Sequence, residues 1–134
     1  MKIVLDTNCL LVSLSTQSPH RCLWDAFLQE RFTLCYSTEI LQEYEEIFMR
    51  YSPGLAIPIV EMLLKSPNII KAIPYYKWGL IVADPDDNKF VDCALNVNAD
   101  YIVTNDKHFN VLKDIDFPKI EVVDIDTFKK IIMR

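Results

Sequence analysis

Short apolar runs alternate along this chain with longer stretches of helical periodicity. A run of about four to eight apolar residues bounded by turn residues is typical of a buried strand. Strands that alternate with helices indicate a parallel sheet joined by crossover helices. The runs predict strands at Ile3–Leu5, Thr33–Tyr36, Tyr101–Thr104 and Ile120–Val123, with two further candidates at Ile69–Ile73 and Leu80–Ala83.

The stretches between these runs carry apolar residues at the spacing of an amphipathic helix. Pro19 suits the first turn of a helix, and so does Pro58 in a helix near residues 55–65. Ser37 or Thr38 can cap the helix after the second strand, and Asp126 can cap the last one. We predict helices from about Asn8, over Pro19–Glu30, from 38 to about Arg50, and over Leu55–Lys65, Asp86–Asn98, Lys107–Leu112 and Thr127–Met133.

Length and composition restrict this pattern to one folded domain. The chain has 134 residues, of which 51% are hydrophobic and 25% are charged. It is therefore too apolar to be disordered, and its length is that of one domain. We predict a single-domain α/β fold over residues 1–134, with a parallel β-sheet flanked by helices.

Charge and glycine content narrow the possible functions. The formal net charge is −5, which disfavours a broad basic surface for nucleic acid, because such binding uses Lys and Arg to replace counterions on phosphates. A bound metal ion would change the sign locally. Neither of the two glycines, Gly54 and Gly79, follows a predicted strand, so a glycine-rich nucleotide loop is absent.

Cysteine spacing and hydropathy predict the compartment. The four cysteines form no Cys-x-x-Cys pair, so we expect reduced thiols in the core. No apolar run approaches the ~18 residues of a membrane span. Asp6 and Asn8 interrupt the apolar start of the chain, which therefore does not match a secretion signal. We expect a cytoplasmic protein without a membrane contact.

Two aspartates follow predicted strands. Asp6 comes directly after Ile3–Leu5, and Asp106 lies just after Tyr101–Thr104. Ligands of open parallel sheets bind outside the carboxyl ends of the strands, so these side chains would converge if the two strands are neighbours. Taken singly, each aspartate is better explained as a turn or cap residue.

Two further acids lie on the inward sides of predicted helices. Glu43 falls beside Ile47, at the edge of an apolar stripe, where a carboxylate can also extend outward to water. Asp87 precedes Phe90 and Val91 by three and four residues and shares their core-facing side. A charge there needs a cation or hydrogen bonds, and the free N–H groups of a first helical turn can also supply the latter.

The remaining candidate acids and the two histidines are expected at turn, surface or capping positions. Asp92 is expected on the opposite side of its helix from Asp87, and Asp84 and Asp86 lie in the acidic turn before it. We interpret these three as turn or surface acids in preference to metal ligands, and keep them as secondary candidates. His20 and His108 are isolated in the sequence, and we expect them at surface or capping positions.

The acids from four separate elements together predict a carboxylate cluster, formed by Asp6, Glu43, Asp87 and Asp106. Carboxylates packed together raise one another's pKa and stay ionised only beside cations. Oxygen ligands without thiolate or imidazole select Mg²⁺ or Mn²⁺, and these ions support the attack of water on a phosphodiester. Polar groups placed to orient the ligands or a water are Asn8, Ser37, Thr104 and Asn105.

Three motifs make the chain resemble the PIN-domain ribonucleases, and among them the VapC-like toxin components of bacterial toxin–antitoxin pairs. The motifs are Val-Leu-Asp-Thr-Asn at 4–8, Ser-Thr-Glu-Ile-Leu-Gln-Glu at 37–43, and Asp-Pro-Asp-Asp-Asn-Lys-Phe at 84–90. The last one continues to Ala-Asp-Tyr-Ile-Val-Thr-Asn-Asp at 99–106. Their joint order and spacing cover nearly the whole chain.

The resemblance implies a fold, an activity and partners. The fold would be a three-layer α/β/α sandwich with strand order 3-2-1-4-5. The activity would be Mg²⁺- or Mn²⁺-dependent cleavage of RNA, with Asp6, Glu43, Asp87 and Asp106 as the catalytic, metal-binding acids, and with Asp92 replacing or assisting Asp87 as an open possibility. The partners would be the RNA substrate, a cognate antitoxin and a second copy in a homodimer.

An alternative function and a set of RNA contacts remain open. The alternative is a PIN-like module that binds RNA or protein without cutting, and the four intact acids count against it. Arg21, Lys89 and Lys107 are near the proposed ligands in sequence and are candidates for phosphate contacts, although exposed cations commonly only keep a surface soluble. For the aromatic cluster at 75–78, packing or a dimer contact is favoured over stacking on a base.

Overall fold

All five strands of the sheet are parallel, and their order is 3-2-1-4-5. The structure, a computed structural model, describes residues 1–133. The α/β class and the strand order implied by the resemblance are confirmed. The strands are β1 (Lys2–Leu5), β2 (Thr33–Tyr36), β3 (Ile69–Lys71), β4 (Tyr101–Val103) and β5 (Val122–Val123).

Six α-helices flank the sheet in the described part of the chain, together with two 3₁₀ segments. No helix within residues 1–133 has both the length and the apolar character needed to cross a membrane. The helices are α1 (Thr7–Ser13), α2 (Arg21–Leu28), α3 (Thr38–Tyr51), α4 (Pro53–Lys65), α5 (Asn88–Val97) and α6 (Ile125–Ile132), and the 3₁₀ segments are Pro85–Asp87 and Lys107–Asp114.

The central strand β1 sets the position of the candidate site. Its three apolar residues are fully buried, because helices cover the faces of the sheet, and its backbone pairs with β2 on one side and β4 on the other. The register places Leu5 opposite Val103. The residues that follow these two therefore emerge at the same edge of the sheet.

The predicted strand at 80–83 is absent. The chain between β3 and Pro85 runs without regular secondary structure, and side chains spaced four residues apart on α5 bind its backbone instead. Such residues lie on one face of a helix. The bonds join Ile73 N to Asn96 Oδ1 (3.1 Å), Trp78 N to Asp92 Oδ1 (3.1 Å), Ile81 N to Asn88 Oδ1 (2.9 Å) and Asn88 Nδ2 to Ile81 O (2.8 Å).

Two capping predictions were wrong. Pro58 lies inside α4, and Pro53 occupies the first turn in its place. Asp124 rather than Asp126 caps α6, because its Oδ1 accepts a hydrogen bond from the Thr127 N–H at 2.7 Å. Each helix therefore begins two residues earlier than predicted, at Pro53 and Ile125.

The cysteines are free thiols, as predicted. Cys9, Cys35 and Cys93 are buried, and Cys22 is half-buried. Burial raises the pKa of the Cys9 thiol to about 12, and the charge of Asp6 acts in the same direction, so the thiol stays uncharged at neutral pH.

Candidate metal centre

The ends of β1 and β4 bring Asp6 and Asp106 to one edge of the sheet. The Asp6 N–H donates to Val103 O at 3.0 Å and so extends the β1–β4 pairing by one residue. Thr104 Oγ1 donates to Asp6 Oδ2 at 2.7 Å and accepts from the Asp106 N–H at 3.0 Å. The expected convergence is present, and the Thr104 hydroxyl joins the two residues.

Helix α3 is held against the end of β1. Ser37 caps the helix by accepting a hydrogen bond from the Ile40 N–H at 3.3 Å. The buried Tyr44 hydroxyl donates to Leu5 O at 2.6 Å. Because Leu5 directly precedes Asp6, this bond fixes the next turn of α3 beside the aspartate.

Glu43 comes from that turn of α3, and both of its carboxylate oxygens have partners. The Thr7 hydroxyl donates to Oε2, and Lys89 Nζ lies 2.7 Å from Oε1. The side chain is 22% exposed, so the predicted position at the edge of the apolar stripe is correct. It points across to α5 rather than outward to water.

Asp87 carries the least satisfied oxygen of the site. Its side chain is 15% exposed, and its Oδ2 is buried without a hydrogen-bond partner. Burial raises the pKa of Asp87 to about 6, and the charges of Asp84, Asp106 and Asp6 add to this, while His108 acts in the opposite direction. A buried carboxylate oxygen in this setting favours a cation beside it.

His108 is exposed and Asp84 lies in the turn before α5, as predicted, and both also belong to the site. His108 Nδ1 lies 3.3 Å from Asp106 Oδ1 and 3.5 Å from Asp87 Oδ2. Ligand atoms of Asp84, Asp87 and His108 all lie within 4.8 Å of one another. A signal was available: His108 is two residues after Asp106, in the turn that Asp106 caps.

The carboxylates influence one another electrostatically. Burial raises the pKa of Asp6, and the charges of Glu43 and Asp106 raise it further, while hydrogen bonds from Thr104 and Thr7 act in the opposite direction. All four predicted acids thus lie around one edge of the sheet. Their partners differ, however: Glu43 is paired with Lys89 and Asp6 with Thr104, whereas Asp87 and Asp106 both lie next to His108.

Lys89 is an internal cation, whereas the sequence suggested an exposed phosphate contact. Its side chain is 10% exposed, and Nζ lies 2.7 Å from Glu43 Oε1 and 3.0 Å from Asp86 Oδ2. Burial by itself would lower the pKa of Lys89, but the bonds to Glu43 and Asp86 outweigh it and raise the pKa. Lys89 therefore remains an ammonium at neutral pH.

The other two cations proposed for RNA differ from each other. Arg21 binds Asp25 Oδ1 at 3.1 Å through Nε and donates to Leu14 O, so its guanidinium is used within the fold. Lys107 is exposed just after Asp106. Of the two, Lys107 has the accessible charge.

The polar residues predicted around the ligands have separate structural roles. Asn105 Oδ1 accepts from the Ile125 N–H at 3.0 Å and so positions the start of α6. Asn8 is exposed beside Asp6. The surface position expected for Asp92 is wrong, because the residue is only 8% exposed, and burial raises its pKa. It binds the backbone of Trp78 instead of facing the other aspartates.

A cleft of about 380 Å³ opens beside the aspartates. It gives solvent and ligands access to the carboxyl edge of the sheet at Asp6 and Asp106. Its lining comes from the start of α1, the start of α2 and the segment after β4. The lining residues are Asp6, Asn8, Cys9, Val12, His20, Asn105 and Asp106.

These features define a class of protein: an open parallel α/β sheet with a carboxylate-lined site at the carboxyl ends of its central strands. The chain belongs to the PIN domain family, whose family model matches residues 2–108. No curated protein matches the sequence.

Solved structures share the fold at low sequence identity. VapBC2 from Rickettsia felis, bound to a promoter DNA fragment, is 17% identical over 92% of this chain and 98% of that chain, with a TM-score of 0.65. VapBC-1 from nontypeable Haemophilus influenzae is 16% identical over 94% and 99%, with a TM-score of 0.62. VapC20 from Mycobacterium tuberculosis, a sarcin-ricin loop cleaving toxin, is 12% identical over 81% and 92%, with a TM-score of 0.60.

Proposed function

We propose that this protein is a Mg²⁺- or Mn²⁺-dependent endoribonuclease and the toxin of a toxin–antitoxin pair. One observation carries the proposal: Asp87 Oδ2 is buried without a hydrogen bond while Asp84, Asp106 and Asp6 raise the pKa of its carboxyl. Such a group is stable as an anion when a cation neutralises it. Membership of the PIN domain family supports a nuclease.

The donor set suits a hard divalent ion. The residues that would hold it are Asp6, Asp87 and Asp106, with Glu43 beside them, and carboxylate oxygens are the ligands that Mg²⁺ and Mn²⁺ prefer. When bound, such an ion activates water and stabilises charge on the phosphoryl oxygens. His108 Nδ1 lies between Asp87 Oδ2 and Asp106 Oδ1, at 3.5 and 3.3 Å.

The other residues of the site orient the ligands. Thr104 uses its hydroxyl both to hold Asp6 Oδ2 and to accept the Asp106 N–H, so one side chain sets the relative position of two aspartates. Polar groups that orient ligands in this way commonly contribute 10–100-fold to metal affinity or activity, as a rough guide.

RNA is the proposed substrate. The cleft beside Asp6 and Asp106 is open to solvent, and Lys107 provides an exposed positive charge near it. The fold is similar to that of VapC20, which is a sarcin-ricin loop cleaving toxin.

A cognate antitoxin is the proposed protein partner. The similarity to the VapBC structures supports it, and so does the surface of α3 and α4, because large exposed apolar areas commonly mark protein interaction sites. The exposed apolar side chains of the surface of α3 and α4 are Met49, Tyr51, Leu55, Ile57, Met62 and Leu64.

A homodimer, one PIN domain over residues 1–134 and a cytoplasmic location stay predictions.

The test is a nuclease assay with purified wild type and Asp6→Asn and Asp87→Asn variants. We expect cleavage of RNA by the wild type in Mn²⁺, none in excess EDTA, and at least a 100-fold loss in either variant, because a ligand charge is removed with almost no change in volume. Asp126→Asn, at an exposed position of α6, is the matched control. Full activity of Asp6→Asn, or activity in EDTA, would contradict the proposal.

The alternative function makes a different prediction in the same experiment. A silent PIN-like module would bind RNA without cutting it under any metal condition. The toxin assignment is tested by expression in growing cells: wild type arrests growth, Asp87→Asn does not, and coexpression of a small open reading frame encoded immediately upstream restores growth.

A further inference from the structure

Lys89 has an unusual position for a lysine at the start of a helix. Its side chain is 10% exposed, and its Nζ lies between Glu43 Oε1 and Asp86 Oδ2, at 2.7 and 3.0 Å. Nζ also lies 5.7 Å from the centre of the Phe90 ring. The ammonium is therefore enclosed by an acid from α3, an acid from the preceding turn and an aromatic face, and it is not part of a solvated surface.

This lysine divides the carboxylates of the site into two groups. Both oxygens of Glu43 are occupied, by the Thr7 hydroxyl and by Lys89 Nζ. Asp87 Oδ2, in contrast, is buried without a hydrogen bond, and the nearest basic nitrogen is His108 Nδ1 at 3.5 Å. A divalent ion entering at Asp87 meets a buried oxygen that accepts no hydrogen bond, whereas an ion entering at Glu43 must first displace a buried ammonium, which would lose one of its two carboxylate partners.

We propose that the Lys89 ammonium permanently occupies the cation position beside Glu43, so that the site holds a single divalent ion, bound on the Asp87 side. The inference rests on the proposed function and specifies its metal requirement. Lys89 acts as a positioning residue: it neutralises Glu43, fixes α3 against α5, and repels a second divalent ion through its own charge.

The test counts bound Mn²⁺ and does not depend on activity. Isothermal titration calorimetry and equilibrium dialysis are carried out on metal-free wild type, Lys89→Met and Lys89→Arg. We expect one Mn²⁺ per chain in the wild type and in Lys89→Arg, which keeps the charge. We expect two in Lys89→Met, because the freed Glu43 becomes a ligand, and one again in the Lys89→Met/Glu43→Gln double variant.

Two Mn²⁺ ions in the wild type, or one in Lys89→Met, would overturn the inference while leaving the nuclease proposal standing. No Mn²⁺ binding by the wild type would overturn both. If Lys89→Met does not fold, as judged by circular dichroism, two single variants decide the question. Glu43→Gln should change the Mn²⁺ affinity less than about threefold and Asp87→Asn should lower it more than about tenfold; equal losses would refute the single-ion site.

Discussion

At the scale of single residues, the site is a set of charges whose partners differ. Asp87 has an unpaired oxygen and a raised pKa, Glu43 has two partners, and Asp92 binds the backbone. Helical periodicity correctly placed Asp87 toward the interior, because three- and four-residue spacing defines one face of a helix. It placed Asp92 away from Asp87, which is also correct, but it could not show that residues 73–83 cover that second face.

The unpaired oxygen of Asp87 predicts a pH-dependent stability in the absence of metal. Its pKa is about 6 in the folded protein, above the ordinary value of about 3.9. The folded state therefore holds this proton more tightly, and the stability that protonation gives is complete below about pH 4 and lost as the pH rises toward 6. Ionised Asp87 then destabilises the fold by roughly 1–2 kcal/mol, after allowance for solvent screening.

Urea unfolding in EDTA measures this effect. At pH 8 we expect Asp87→Asn to be more stable than wild type by roughly 1–2 kcal/mol, and at pH 4 the two should be equal, because the wild-type carboxyl is then protonated. Asp126→Asn, which changes an exposed carboxylate, should show no such gain. Equal stability of wild type and Asp87→Asn at pH 8 would show that Asp87 is satisfied in solution.

At the scale of elements, α5 positions both the site and the segment before it. Its first turn carries Lys89 toward Glu43, while Asn88, Asp92 and Asn96 bind the backbone of residues 73–81. The prediction of a strand at 80–83 was wrong. The apolar residues there suit a strand, but no neighbouring strand is available to pair with the segment. Backbone groups of a buried segment must be paired, and side chains of α5 do this instead.

The structural role of Asp92 can be separated from a ligand role. Asp92→Asn keeps an oxygen that accepts from the Trp78 N–H and removes a buried charge, so we expect unchanged Mn²⁺ affinity and unchanged or higher stability. Asp92→Ala removes the acceptor and should cost about 1–3 kcal/mol, with faster amide hydrogen exchange confined to residues 73–83. A tenfold loss of Mn²⁺ affinity in Asp92→Asn would instead make Asp92 a ligand.

At the scale of the whole molecule, the metal couples the site to the stability of the fold. The proposed ligands come from the ends of β1 and β4 and from the turn before α5, so they are close together only when the sheet is formed. An ion that binds the folded state alone stabilises it by RT ln(1 + [ion]/Kd), about 2.7 kcal/mol at a hundredfold excess over Kd.

Thermal unfolding with and without Mn²⁺ tests this coupling. At a saturating concentration we expect the Tm of the wild type to rise by roughly 8–12 °C relative to EDTA. Asp6→Asn should show a much smaller rise, since it lacks one ligand charge, and Asp126→Asn should match the wild type. An unchanged Tm in Mn²⁺ would mean that the aspartates do not bind the ion.

The amino-acid sequence by itself determined the alternation of strands and helices, the positions of Asp6 and Asp106 at the ends of two strands, and the inward direction of Asp87. These depend on local periodicity and on the rule that parallel strands end at one edge of a sheet. Only the tertiary structure decided that Lys89 pairs with Glu43 and that His108 lies between Asp106 and Asp87. It also decided that side chains of α5, rather than a neighbouring strand, bind the backbone of residues 73–81. Such contacts join elements distant along the chain, and their distances follow from packing, which no local pattern encodes.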